Sequence, residues 1–159
     1  AQLQFLNKEV MSFKKILLLF ISFIIIKSCQ NNIDVDLGGR YKLITSASMD
    51  DLTIVDENNI VAIQGHILDY AFDSTFILAA QRPRDSVPGI ETMTHDKYEK
   101  AFEQSTFRQY WIVNKKEKPE FNEATKIYSN VYGPFKKEEY LQKREELGVP
   151  KELELKEYK

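Results

Sequence analysis

The chain has 159 residues, of which 43% are hydrophobic and 29% are charged, a balance typical of one folded globular domain. Its net charge is -2, and because four lysines and a single glutamate lie in the first 28 residues, the remainder is distinctly acidic. An acidic domain with interspersed basic residues lacks the positive surface that binds phosphates, which disfavours a nucleic-acid partner. The single cysteine excludes an internal disulfide.

The first predicted element is a secretory signal over residues 11–28. It begins with Met11 and a pair of lysines, continues with eleven apolar residues, and ends at Ser28. A helix that spans a bilayer needs about 20 consecutive apolar residues, so this stretch predicts a cleaved signal rather than a permanent transmembrane anchor. Residues 1–10 precede the methionine, and we interpret them as upstream or fragment residues that do not belong to the fold.

Residues 26–29 resemble the lipobox of bacterial lipoproteins. The resemblance implies cleavage between Ser28 and Cys29, followed by attachment of a diacylglycerol to the Cys29 sulfur. Each buried methylene group contributes about 0.8 kcal/mol, so two or more acyl chains anchor a protein stably. Residues 29–37 then read as a polar tether, and Gln30 directly after the cysteine resembles an outer-membrane sorting signal. The alternative interpretation is a buried hydrophobic strand that ends in a core cysteine.

Residues 38–159 predict a single α+β domain. Short apolar runs rich in Ile, Val, Thr, Tyr and Phe alternate with turns of Asp, Asn and Ser, a pattern typical of consecutive β-strands. Because the connections are short, we expect a single antiparallel β-meander sheet of about six to seven strands. The predicted strands cover residues 40–46, 52–55, 60–64, 66–72, 75–81, 107–114 and 126–132.

Two helices are predicted to pack on this sheet. The first is a helical excursion after the fifth strand, where Thr94 can cap a helix whose Tyr98 and Phe102 share one face. The second is a C-terminal helix over residues 136–147, with Gly148 as its stop. Beyond this helix, leucines alternate with charged residues in a way that suits a short edge strand.

Five stretches of this domain carry a resemblance to a known group of proteins. They are YKL at 41–43, LTIVDENN at 52–59, FILAAQRP at 76–83, YWIVNK at 110–115 and GPFKKEEYLQKREELGVP at 133–150. On these motifs the mature part resembles a family of small uncharacterised bacterial lipoproteins, seen especially in Bacteroidetes. The motifs are structural in character, so the resemblance implies a class of protein and no particular activity.

Few residues are suited to chemistry. The two histidines, His66 and His95, fall short of the about three or four ligands of a zinc site, so no metal site is predicted. The acidic residues between positions 50 and 57 lack the spacing of a calcium-binding loop. No serine or cysteine lies in a nucleophile motif, and no Gly-rich phosphate loop is present, so neither a catalytic residue nor a cofactor is predicted.

Aromatic residues are concentrated in the C-terminal third of the chain. On an alternating strand Tyr110 and Trp111 point to opposite faces, so one of them is exposed if the sheet is single. Tyr110, Trp111 and Tyr128 are therefore a candidate interaction face. The alternative is that the helices cover one face of the sheet and the excursion covers part of the other.

Together these patterns predict a lipid-anchored cell-envelope protein of the outer membrane, facing the periplasm or the surface. The expected function is a non-enzymatic binding or interaction module, held to the membrane by lipid on Cys29 and contacting a protein of the envelope. One version is an immunity lipoprotein that blocks a secreted toxin. The rival hypothesis is a small envelope hydrolase with a site around His66, Asp69 and His95.

Overall fold

The structure, a computed structural model, describes residues 34–45 and 51–157, and it confirms an α+β class in which strands predominate. Two α-helices lie in this part of the chain, α1 (His95–Gln104) and α2 (Lys137–Leu147). The strands are β1 (Asp34–Gly38), β2 (Tyr41–Thr45), β3 (Leu52–Asp56), β4 (Val61–Ile63), β5 (Ile67–Phe72), β6 (Phe76–Gln81), β7 (Gln109–Asn114), β8 (Phe121–Asn122), β9 (Ile127–Tyr128), β10 (Val131–Phe135) and β11 (Lys156–Glu157).

The strands form separate antiparallel sheets, so the prediction of a single meander sheet is wrong. β1 to β4 make a four-stranded sheet in chain order, and a second sheet has the order β10-β7-β6-β5-β11. β8 and β9 pair as a short hairpin. The chain leaves the first sheet between β4 and β5, where Gly65 precedes His66, which has a positive φ of 63°. The side chain of Gln81 donates to the carbonyls of Gln64 and Gly65 over 2.5 and 2.9 Å and holds this bend.

The physical reason for two sheets is the burial of the central strand. All six residues of β6 are buried, so both of its faces need a covering layer. The four-stranded sheet packs on one face of the five-stranded sheet, and α2 packs on the other. The core between the two sheets contains Leu37, Tyr41, Leu43, Leu52, Ile54, Ala62, Ile63, Ile67, Ile77, Ala79, Trp111, Val113, Tyr128 and Val131.

Several element boundaries differ from those predicted. β1 pairs with β2 and buries Leu37 completely, although the sequence assigned residues up to 37 to a tether. The predicted strand over 126–132 is divided into β9 and β10, and β10 continues through Gly133 and Pro134 with an irregular register. Gly133 has a φ of 134°, and a Cβ there would lie 2.7 Å from the carbonyl oxygen of Tyr110. The backbone of β10 therefore approaches β7 at a distance that only glycine permits.

Both predicted helices are present. α1 buries Tyr98 and Phe102, the two residues that the sequence placed on one face, in a small cluster with Val87. α2 begins after Lys136, whose backbone amide donates to Glu139 over 2.9 Å, and ends at Gly148 in the left-handed conformation.

Candidate functional site

Two of the three residues of the candidate interaction face are neighbours on β7; Trp111 is buried, and Tyr110 is half-buried against the C-terminal helix. Trp111 is 8% exposed, and its indole Nε1 donates a hydrogen bond of 2.7 Å to Oε1 of Gln81. Tyr110 belongs to the opposite face of β7, where its ring stacks on that of Tyr140 of α2 with centroids 4.9 Å apart. The four-stranded sheet therefore covers the Trp111 face of β7, and α2 packs on the Tyr110 face. The alternative interpretation was right that a helix packs on this sheet, but the layer on the other face is the four-stranded sheet and not the excursion.

The third residue, Tyr128, is part of a buried network around Asp56. The Asp56 side chain is fully buried, and its Oδ2 accepts hydrogen bonds from the Tyr128 hydroxyl at 2.8 Å and from Arg40 at 2.9 Å. Its Oδ1 accepts from the backbone amides of Asn58 at 2.9 Å and Ile60 at 2.8 Å. Donors from three separate segments converge on one carboxylate, so Asp56 joins these segments and leaves little room for a cation.

This network determines the protonation states of Asp56 and Tyr128. Burial by itself raises the pKa of Asp56, but the four hydrogen bonds outweigh it and hold that pKa below its ordinary value of 3.8. Burial and the hydrogen bond to the Asp56 carboxylate raise the pKa of Tyr128 to about 12. Asp56 is therefore ionised and Tyr128 neutral near pH 7, which is a stable pairing and not an acid and base prepared for proton transfer.

His66 lies in a second polar cluster, beside α1. Its Nε2 accepts a hydrogen bond of 2.8 Å from Nε of Arg84, and the backbone amide of His66 donates to Oδ1 of Asp51 over 2.7 Å. Burial lowers the pKa of His66, while the Asp51 carboxylate opposes that shift. The ring nitrogen that would act as a base is therefore already bound to a guanidinium group.

The other two residues of the hydrolase hypothesis have partners of their own. The Asp69 carboxylate forms an ion pair with Arg108. His95 is 81% exposed at its side chain, with Nδ1 3.8 Å from Glu99, whose carboxylate also pairs with Arg84 at 3.2 Å. The two histidines are thus linked through intermediate residues. Within residues 34–45 and 51–157, no group of three His, Cys, Asp or Glu side chains is placed to hold a metal ion.

The predicted lipidation and cleavage residues, Ser28 and Cys29, lie outside the described residues. No helix in the described part of the chain is long and apolar enough to cross a membrane.

A groove of about 430 Å³ runs along the outer edge of β5, between that strand and the C-terminal tail. We call it the edge groove; residues 70–72 form one side, and residues 152–154, 156 and 157 form the other. On its inner side β5 pairs with β6 as far as Phe72. On its outer side β11 pairs only with Asp69 and Tyr70, so no described strand pairs there with Ala71 or Phe72.

The tail wall of the edge groove is fixed in position by α2. Nη2 of Arg144 donates hydrogen bonds of 2.9 Å to the carbonyls of both Pro150 and Leu153. The Leu153 side chain packs against the hydrophobic cluster beneath the helix. Residues 152–154 are therefore held away from the end of β5, and the groove is formed before anything binds in it.

The edge groove has an acidic rim and an aromatic ring. Glu152, Glu154 and Glu157 are all exposed, and no other described residue forms an ion pair with them, while Lys156 is the single basic residue of the lining. Phe72 is 40% exposed, and its ring stacks on that of Tyr70 with centroids 6.4 Å apart. Such groups can contact a ligand by charge, by apolar contact and by backbone pairing.

The sequence identified the tail as a short edge strand but did not predict the groove. The alternating segment ELELKE at 152–157 indicates the strand, and the exposed aromatic at the end of β5 is visible in the sequence only as one more apolar residue. Nothing in the sequence says that the tail pairs with β5, or that it pairs over just two residues.

Comparison with known proteins finds one family. A family model described as a protein of unknown function, DUF3997, matches residues 38–159, which include the whole edge groove. No curated protein and no solved structure matches the chain. Since the family model matches well over half of the sequence, the chain belongs to the DUF3997 family of proteins of unknown function.

Proposed function

We propose that this protein is a lipid-anchored binding module of the cell envelope, with no chemistry of its own, and that the edge groove is its contact surface. The envelope location is supported by the signal-like residues 11–28 and by the lipobox-like residues that end in Cys29. A lipid on Cys29 would place a domain of this size close to the membrane surface, where a partner is also confined.

The observation that carries the binding role is the open edge of β5. A strand with one unpaired side readily accepts another chain, and natural proteins normally cover or charge such an edge. Here the described strand β11 pairs with only two residues of β5, next to an exposed aromatic ring and to carboxylates that form no ion pair with another described residue. Aromatic contact with a polar rim is the usual composition of a protein–protein contact surface.

The anchor is tested by fatty-acid labelling in a bacterial host. We expect label in the wild-type protein and none in Cys29→Ser, which should also leave the membrane fraction. A second substitution, Ser48→Ala, removes a serine outside the predicted signal and serves as the control that must still be labelled. Equal labelling of wild type and Cys29→Ser would contradict the anchor.

The groove is tested by photo-crosslinking in living cells. The photoreactive residue p-benzoylphenylalanine is placed either at position 72 or at position 107, because Phe72 and Phe107 are similarly exposed, at 40% and 46%. Only Phe72 lines the groove, so we expect a discrete protein adduct from position 72 and none from position 107. The same adducts from both positions, or none from position 72, would remove the groove as the contact surface.

A further inference from the structure

Building on the proposed function, we propose that the edge groove binds an extended, Lys- or Arg-bearing segment of a partner protein, which adds as a strand to the outer edge of β5 at Ala71 and Phe72. Three features of the same groove favour this ligand: the short pairing at the edge of β5, the acidic rim and the exposed ring of Phe72.

The outer edge of β5 is paired with β11 only as far as Tyr70. Antiparallel pairing of β11 with β5 runs from Glu157 opposite Asp69 to Lys156 opposite Tyr70, and continued pairing would place the preceding tail residues opposite Ala71 and Phe72. The tail turns away instead. Its departure is fixed by Arg144, which holds the Leu153 carbonyl, so the tail does not close the edge itself. An extended peptide can satisfy such an edge by main-chain hydrogen bonds.

The rim of the edge groove is predominantly acidic. Three exposed glutamates face the groove, whereas Lys156 is its single basic lining residue. Carboxylates close together without cationic partners repel one another, and a basic ligand relieves this repulsion. Complementary charge of this kind selects a partner and accelerates its association more than it tightens the final complex.

Phe72 contributes an exposed aromatic ring to the edge groove. The exposed part of Phe72 lies in the groove, at the end of the unpaired edge. A guanidinium or ammonium group over an aromatic face is attracted by the ring, and Arg and Lys have long apolar stems that also pack on it. The nearby Lys115 already lies 5.8 Å from the Phe72 centroid, but its ammonium is bound to the carbonyls of Leu37 and Asp73.

A second copy of this chain is a poorer occupant than a basic segment. Pairing two β5 edges would bring two acidic rims together, and like charges opposed across an interface are unfavourable. The same rim disfavours an anionic lipid surface as the ligand of the groove.

The experiment measures binding of synthetic peptides to the full lipidated chain in neutral detergent, by fluorescence anisotropy. Three eight-residue peptides are used: alternating Lys and Val, alternating Glu and Val, and the Lys-Val peptide with alternate backbone amides N-methylated. We expect saturable binding of the Lys-Val peptide alone. Binding of the N-methylated peptide with equal affinity would overturn strand pairing, and equal binding of the Glu-Val peptide would overturn the choice of a basic partner.

Two matched triple variants test whether the peptide binds in the edge groove. The groove variant combines Glu152→Gln, Glu154→Gln and Glu157→Gln. It should weaken binding of the Lys-Val peptide about tenfold and make that binding less dependent on salt, because three exposed charge pairs are lost. The control variant combines Glu91→Gln, Glu103→Gln and Glu145→Gln. It changes three glutamates that are also exposed but lie outside the groove, and it should leave binding unchanged. Equal weakening by both sets would contradict the site.

The peptide-binding experiment can fail while the crosslinking experiment succeeds, so the two proposals are tested independently. If position 72 yields a protein adduct but no Lys-Val peptide binds, the groove is still a contact surface and the inferred partner chemistry is wrong. If the chain instead self-associates through the groove, with dimers abolished by a Phe72→Asp substitution and not by Phe107→Asp, a second copy is the occupant and the inference fails.

Discussion

Two groups of carboxylates in this domain have opposite environments. Asp56 is fully buried and accepts four hydrogen bonds, whereas Glu152, Glu154 and Glu157 are exposed and have no ion-pair partner among the described residues. A buried charge is tolerated only when donors surround it, so all of its bonding capacity is used by the fold. Among the residues that the structure describes, nothing uses that capacity in the groove carboxylates. The contrast indicates which acidic residues build the domain and which are available to a partner.

The buried carboxylate connects parts of the chain that are distant in sequence. Arg40 comes from the turn between β1 and β2, and Tyr128 from β9, so the bonds of Asp56 tie the first sheet to the hairpin segment. The neighbouring hydroxyl of Tyr41 donates to Asn130 over 3.1 Å and reinforces the same junction. Burial of the network makes these bonds stronger than they would be in water.

The largest expected effect is that of Asp56→Ala. The substitution leaves the Tyr128 hydroxyl without its buried acceptor and the Arg40 guanidinium without its closest partner, and we expect a loss of about 3 kcal/mol in the free energy of unfolding. The matched control is Glu57→Ala, because the Glu57 carboxylate also pairs with Arg40, at 3.5 Å from Nη2 to Oε1, but its side chain is 63% exposed. We expect this substitution to lower the free energy of unfolding by less than about 0.5 kcal/mol. Urea unfolding followed by fluorescence of the buried Trp111 measures both.

We expect acid to lower the free energy of unfolding by less than Asp56→Ala does. The pKa of Asp56 is depressed in the folded chain, so below its ordinary value of 3.8 the unfolded chain takes up a proton that the folded chain does not. The contribution of Asp56 to stability is therefore complete above that pH and is lost as the pH falls through the folded pKa. We expect Asp56→Asn to show a shallower fall in unfolding free energy below pH 3.8 than wild type. If the unfolding free energies of wild type and Asp56→Asn fell in parallel with pH, the pKa of Asp56 would not be depressed in the folded chain.

The sequence predicted most strands and both helices because alternation and turn chemistry are local. It did not predict the division into sheets, since consecutive antiparallel strands have the same pattern whether they continue one sheet or start another. The one available indication was FILAAQ at 76–81, a run apolar on both faces, which is typical of a strand covered on both sides.

The sites were less predictable than the fold. Aromatic residues were chosen as the candidate surface, but aromatic rings are also the largest core-forming side chains, and Trp111 and Tyr128 are used in that way. The edge groove joins residues 70–72 to residues 152–157, and it exists because pairing stops after two residues. The length of a pairing between distant segments is set by tertiary packing, here by Arg144 and Leu153, which no local pattern reveals.

The smallest expected effect is that of the groove triple variant on stability. Replacing Glu152, Glu154 and Glu157 by Gln removes charges that are exposed and bound to no described partner, so we expect a change below about 0.5 kcal/mol in the free energy of unfolding.

The direction of that small change is informative, because removing three neighbouring like charges relieves repulsion and should stabilise the domain slightly at low salt. Urea unfolding at low and high salt measures it, and the stabilisation should vanish at high salt. A loss comparable to that of Asp56→Ala would mean that the rim also holds the tail in place. The two groups of carboxylates would then have the same role, and the free charge of the groove would no longer argue for a partner.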